Sequence, residues 1–243
     1  MKAILNPRYS ELKPLVEHIE RHFQGSSRIL HKQRNEIRIV SFGGERYVVK
    51  AFRKPNIINR FVYRFLRPSK AKRSYEYSLK IGEVLCPEAI AYIEEHKNLQ
   101  LLKSYYISKY YDYDFEIRAV LSDKLFKNRE QIFQEFAVFT FGLHQNNILH
   151  RDYSPGNILV KKQADHFQFK IVDVNRMQFK KLTLEDRLGN FVRLAEDDET
   201  MQTIITHYAD CMNQPFEDIF AIAQKLRLSY IEKRALKNKL RGR

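Results

Sequence analysis

The run His150-Arg151-Asp152-Tyr153-Ser154-Pro155-Gly156-Asn157, continued by the apolar Ile158-Leu159-Val160, constrains this chain more than any other part of it. It sets a carboxylate at Asp152 and an amide five positions later at Asn157, on a turn that leads into a β-type run. Phosphoryl transfer asks for those parts: a carboxylate to orient an acceptor hydroxyl, and oxygen ligands for the metal that accompanies nucleotide phosphates. A second metal ligand is then expected at the end of the next strand. Asp173 stands there, in Lys170-Ile171-Val172-Asp173-Val174-Asn175.

Working upstream, Arg129 to Gln145 predicts a helix whose Ile132, Phe133, Phe136, Phe139, Phe141 and Leu143 form a broad apolar surface. Downstream of the loop, Ile158–Lys161 and Phe167–Val172 read as strands about a turn at Ala164-Asp165, and the chain from Leu182 onward is helical in character. The first half is different. Two alternating runs, Glu36–Phe42 and Arg46–Phe52, flank Gly43-Gly44, a strong hairpin signal. Ser10–Phe23 predicts a helix with Pro14 in its first turn, Ile57–Leu66 and Ser69–Gly82 predict two more, and Ala89–Glu94 and Leu99–Ser108 read as strands. The expected plan is α+β and bilobal, protein-kinase-like, with a β-rich lobe over 1–109 and a helical lobe over 110–243.

That plan calls for a strand lysine to hold the nucleotide phosphates and a helical carboxylate to hold the lysine. Lys50, in Tyr47-Val48-Val49-Lys50, fits the first role; Glu76 fits the second, with Glu83 as a fallback beyond Gly82. Each alone is ordinary, since a lysine at a strand end is usually solvated and an aspartate after a strand is usually a turn residue. Their order around the eight-residue loop is what carries weight. The expected set is therefore Asp152 as base, Lys50 on the phosphates with Glu76 holding Lys50, and Asn157 and Asp173 on the metal, with ATP as donor.

The sequence also departs from the protein-kinase pattern. Only 8 glycines occur, and a Gly-rich phosphate loop is missing; Lys32-Gln33-Arg34-Asn35 would turn over the nucleotide, with Lys32 and Arg34 as direct phosphate contacts or as plain solvated residues. Val174 and Asn175 follow Asp173 where Phe and Gly are usual, and no Ala-Pro-Glu element comes after. A protein kinase switched by phosphorylation needs that machinery, whereas a constitutive small-molecule or glycan kinase does not.

With these residues in place, the chain resembles the bacterial lipopolysaccharide core kinases, which phosphorylate Kdo or heptose sugars of the inner core. The resemblance rests on Arg73-Ser74-Tyr75-Glu76-Tyr77, on His150 to Leu159, and on Val172-Asp173-Val174-Asn175-Arg176-Met177. It implies ATP with Mg²⁺, transfer to a sugar hydroxyl of a lipid-linked glycan acceptor (lipid A-core), and a peripheral location on the cytoplasmic face of the inner membrane. Two alternatives stay open: an atypical protein kinase without an activation loop, and a non-catalytic binding module on a kinase fold.

Composition is compatible with this. Lys and Arg number 43 against 29 Asp and Glu, a net charge of +14 that predicts an anionic partner. From Phe52 to Arg73 there are eight basic residues and no acidic one. Within that segment Ile57, Ile58, Phe61, Val62, Phe65 and Leu66 recur at helical spacing, apart from Arg60, Arg64 and Arg67. Such a helix either lies on an anionic membrane or packs its apolar face on the lobe. The N-terminal residues include no apolar run of signal-peptide length, and the two cysteines, Cys86 and Cys211, suggest neither a disulfide framework nor a zinc site. No nucleic-acid motif is present, so nucleic acid is not an expected partner.

Overall fold

The computed structural model describes residues 1–32, 35–52, 68–97, 100–194 and 197–240. They divide into two compact units: Met1–Asp112 with Asp173–Asn175, and Tyr113–Val172 with Arg176–Arg243. The return of Asp173–Asn175 to the first unit is absent from a linear boundary. The segment expected to form the basic amphipathic helix, with Arg60, Arg64 and Arg67, lies outside the described residues, as does Arg34.

The first unit is built on an antiparallel sheet of β1 (Lys2–Leu5), β2 (Ile29–Lys32), β3 (Asn35–Phe42), β4 (Glu45–Phe52), β5 (Ala89–Lys97) and β6 (Gln100–Lys109), in the order β1-β5-β6-β4-β3-β2. The hairpin read from the sequence is β3–β4, with Phe42 opposite Glu45. Gly43 and Gly44 both take positive φ, 59° and 80°, as a two-residue turn matched to strand twist requires. Strand periodicity then assigns the side chains to faces. Val49 and Ile107 face one core with Leu12, Leu15, Val16, Ile19 and Phe23. Phe52 faces the other, with Ala71, Tyr75 and Tyr92. Lys50, two residues before Phe52, shares that second face, and its Nζ lies 5.4 Å from the Phe52 ring centroid.

The single N-terminal helix expected over Ser10–Phe23 is divided. A 3-10 stretch, Pro7–Leu12, leads into α1 (Lys13–Glu17) and α2 (Ile19–Gly25), which separate at His18, where ψ of 29° leaves the helical range. Pro14 does fall in the first turn of α1, the one place its missing N–H costs nothing. The helix α3 (Lys70–Ile81) follows its sequence signals closely: Ser69 caps it by accepting from the Lys72 N–H at 3.0 Å, and Gly82 ends it at φ 84°.

The second unit opens with β7 (Phe115–Glu116), α4 (Ile117–Ser122) and α5 (Arg129–Gln145). Ile132, Phe133 and Phe136 of α5 are fully buried, and Phe139 stacks on Phe169 with centroids 5.5 Å apart. Next come β8 (Ile148–His150), β9 (Ile158–Lys162), β10 (Phe167–Ile171) and β11 (Met177–Phe179). β9 sits between β10 and β7, and β8 pairs with β11 so that His150 opposes Met177. The helices α6 (Leu184–Leu188), α7 (Asp198–Met212) and α8 (Phe216–Lys239) complete it, the first closed by a capping box between Thr183 and Asp186. Among the described residues no helix is long and apolar enough to cross a membrane.

Candidate active site

Within the second unit the eight-residue loop leaves β8, turns through a 3-10 stretch at Pro155–Asn157 and enters β9. The Asn157 amide donates to the Asp152 carbonyl at 2.8 Å, which binds the two ends of the turn together. Because Nδ2 is spent there, Oδ1 is left as the outward acceptor of Asn157. The Val172 N–H donates to the Asn157 carbonyl at 2.9 Å, so the loop is registered against the residue just before Asp173. His150 is buried and bridges the same elements. Its Nδ1 accepts from the Asp152 N–H at 3.1 Å, which leaves Nε2 as the protonated nitrogen that donates to the Val172 carbonyl at 2.9 Å.

Tyr153 anchors the loop in the core. Its ring stacks on Phe136 of α5 at 5.9 Å, and its hydroxyl lies 2.8 Å from Thr140 Oγ1. Gly156 lies beside α4: a Cβ there would meet the Arg118 guanidinium, the end of a flexible exposed side chain that would have to shift. The Asp152 carboxylate is held by two arginines, Arg193 Nη1 at 2.8 Å from Oδ1 and Arg176 Nη1 at 3.2 Å from Oδ2.

Behind the loop lies a buried polar chain. Asn190 Nδ2 donates to the His150 carbonyl at 3.1 Å, so its Oδ1 faces His144 as an acceptor at 3.2 Å from Nε2. His144 must then donate from Nε2 and accept the Tyr208 hydroxyl at Nδ1, 2.7 Å away. This arrangement works only with a neutral imidazole, and burial lowers the His144 pKa from 6.5 to about 4. The sign follows from linkage. Above pH 6.5 both folded and unfolded histidine are neutral; as pH falls toward 4 the unfolded chain takes the proton first, and stability is lost. At about pH 5 the loss attributable to His144 should be about 2 kcal/mol relative to neutral pH. Urea titrations of the wild type and His144→Gln at both pH values will measure it: the variant should show a shallower acid loss, and parallel losses would remove His144 as the cause.

In the first unit, Lys50 is flanked by Ile37 of β3 and Tyr106 of β6 and is nearly buried. Its Nζ is 2.7 Å from Asp173 Oδ1. The Asn175 amide donates to the same oxygen, and Arg73 of α3 donates to the Asn175 carbonyl at 2.9 Å. Asp173 takes φ of 57°, a left-handed conformation that Asp and Asn tolerate better than other non-glycine residues. Glu76, expected to hold Lys50, does something else here. It lies on the exposed stripe of α3 with Lys72 and Lys80, one helical turn apart, and pairs with Lys72 at 3.5 Å, while Ala71, Ser74, Tyr75 and Ser78 form the buried side. Lys50 is thus paired with Asp173 and not with Glu76. The backbone of Lys32 ends β2, and residues 33–34 lie outside the described residues.

Mg²⁺ with a nucleotide takes hard oxygen donors and few protein ligands. Asp173 offers a carboxylate and Asn157 an amide oxygen, each by itself a hard donor of the kind such an ion takes. Among the described residues no group of three or more His, Cys, Asp or Glu gathers as a metal cluster, which an ion completed by phosphate oxygens does not need.

A β-rich unit carrying a strand lysine and a helical unit carrying the Asp152–Asn157 loop define a protein-kinase-like fold. A solved structure of WaaP in complex with acyl carrier protein has this fold, at a TM-score of 0.61 and 16% identity over 98% of this chain and 99% of that one. Residues 79–211 match the lipopolysaccharide kinase (Kdo/WaaP) family, and the chain belongs to that family. Its members are kinases, so the chemistry is phosphoryl transfer within lipopolysaccharide assembly. No sequence among curated proteins matches the chain.

Proposed function

We propose that the chain transfers the γ-phosphoryl group of ATP to a hydroxyl of a Kdo or heptose sugar in the lipopolysaccharide inner core. The observation that carries this reading is the loop in which Asn157 is tied to the Asp152 carbonyl while the Asp152 carboxylate stands on its own backbone, fixed by His150, in a member of a lipopolysaccharide kinase family.

Asp152 accepts the hydrogen bond of the acceptor hydroxyl and takes its proton as the new oxygen–phosphorus bond forms and the bond to the departing nucleoside diphosphate breaks. Asn157 and Asp173 would hold Mg²⁺, which would neutralise the charge of the phosphoryl group that ATP donates. Lys50, paired with Asp173 in this structure, would hold the phosphates once the Asp173 carboxylate is taken by the metal. Lys32 and Arg34, in the run Lys32-Gln33-Arg34-Asn35, are the cations proposed to meet the phosphates. The basic segment from Phe52 to Arg73 would hold the enzyme at the cytoplasmic face of the inner membrane, where a lipid-linked acceptor is presented. Several cations, each contributing about 1 kcal/mol near an anionic surface, suffice without a lipid anchor.

The test is transfer of labelled phosphate from Mg-ATP to three acceptors: a Kdo-bearing lipid A precursor, a heptosylated core, and a generic protein. Label on a glycolipid is expected. Label on protein alone points to an atypical protein kinase, and nucleotide binding without any transfer points to a non-catalytic module.

A further inference from the structure

The reading above leaves Arg176 and Arg193 without a role. One carboxylate, Asp152, is contacted by two guanidiniums, at 3.2 and 2.8 Å, so the group as a whole carries an excess positive charge. A single arginine is enough to fix a carboxylate. Both also keep most of their donors unspent. A guanidinium has five N–H groups; among the described residues Arg176 has no other polar partner, and the other contact of Arg193 is the face of Tyr230, 5.6 Å away. Their side chains are 46% and 39% exposed, whereas that of Asp152 is 23% exposed. The cations therefore face solvent on either side of the carboxylate.

Both are mounted on rigid pieces of the second unit. Arg176 directly precedes β11, whose Met177 pairs with His150. Arg193 ends a 3-10 turn whose Phe191 is buried against Tyr208 at 4.9 Å. Their heads thus stand where any sugar that places a hydroxyl on Asp152 must bring its neighbouring substituents.

We infer that Arg176 and Arg193 form an anion subsite of the acceptor pocket: the sugar phosphorylated here carries a carboxylate or phosphate beside the reacting hydroxyl, and the planar guanidinium donors take it. This rests on the reading that a sugar hydroxyl meets Asp152. The chemistry is that of forked N–H donors on a planar oxyanion, which are stronger than neutral hydrogen bonds. The same contacts keep the acceptor anion from repelling Asp152, because two cations serve two anions. A neutral sugar in that place would leave one positive charge unmatched.

The experiment needs first only the wild type, with a Kdo-bearing lipid A precursor as the free acid and as its carboxyl methyl ester, and a heptosylated core with and without its phosphate groups. The expected result is a kcat/KM about 10- to 100-fold lower on whichever partner of a pair lacks the anion, mostly through KM. The pair that discriminates tells whether the anion is carboxylate or phosphate. Arg193→Gln should lose on both acceptors through its contact with Asp152, but about 10- to 100-fold more on the anionic acceptor than on its neutral partner, with Arg193→Lys recovering part of that difference. If the wild type labels glycolipids but treats both members of each pair alike, or if Arg193→Gln loses equally on both, the arginines serve only to hold Asp152 and the inference is wrong. Should the wild type label no glycolipid at all, the functional reading itself falls, and this subsite with it.

Discussion

Asp152→Ala should lower transfer to the acceptor by about a thousandfold, within the range a positioned acid–base group contributes, while Mg-ATP binding stays within about twofold of the wild type. The separation follows from what Asp152 touches. Its carboxylate meets Arg176 and Arg193 and no nucleotide-directed residue, whereas its backbone carries the loop architecture through the Asn157 amide and the His150 ring. Truncating the side chain leaves those backbone bonds in place. The fold should tolerate it as well, because the lost ion pairs are partly exposed and such pairs are typically worth about 0–1 kcal/mol. Asp152→Asn is the shape-preserving companion and should show the same loss. Single-turnover transfer together with nucleotide titration checks both halves. Near-normal transfer by Asp152→Ala would mean that another group receives the proton.

How much of this was legible beforehand depended on whether an interaction is local. The Asp152–Asn157 turn is closed by a bond five residues long, so residue order alone exposes it. The β3–β4 hairpin is likewise written in two alternating runs and a Gly-Gly pair that can adopt positive φ at both positions. Capping at Ser69 and Gly82 bounds α3 for the same reason. Strands supported only by distant partners were not legible: β1 is four residues long and exists through its pairing with β5, and β7 is two residues held by β9. A propensity scale has nothing to act on in segments that short.

The site divides in the same way. Lys50 and Asp173 were readable as strand-end residues, but their mutual ion pair joins distant parts of the chain and no periodicity encodes it. For Glu76 a signal existed and pointed elsewhere: Lys72, Glu76 and Lys80 recur at four-residue spacing, the mark of an exposed, charge-paired helix face. Neither His144 nor Asn190 carried a local mark in the sequence. Their chain to the His150 carbonyl appears only when α5, the segment before Phe191 and the His150–Asn157 loop are assembled. Arg193 carried no local mark at all, since its meaning comes from the carboxylate it reaches.

Asp173→Asn should abolish the Mg²⁺ dependence of nucleotide binding and weaken Mg-ATP affinity by about 10- to 100-fold, equivalent to about 1.4–2.7 kcal/mol. Asparagine is the informative replacement because residue 173 sits at φ 57°, where Ala would add a backbone penalty of about 1–2 kcal/mol and confuse folding with binding. Asn keeps the left-handed conformation and a side-chain oxygen for Lys50 and Asn175, yet removes the negative charge that a hard divalent cation requires. Lys50, no longer neutralised by a carboxylate, becomes a stronger phosphate ligand, so binding of metal-free ATP should hold steady or tighten slightly while Mg-ATP binding weakens. That crossing of the two affinities is the signature, measurable by nucleotide titration with and without Mg²⁺. A uniform weakening of both forms would assign Asp173 to the architecture around Lys50 and Arg73, and a wild-type Mg²⁺ response would take it out of the metal site.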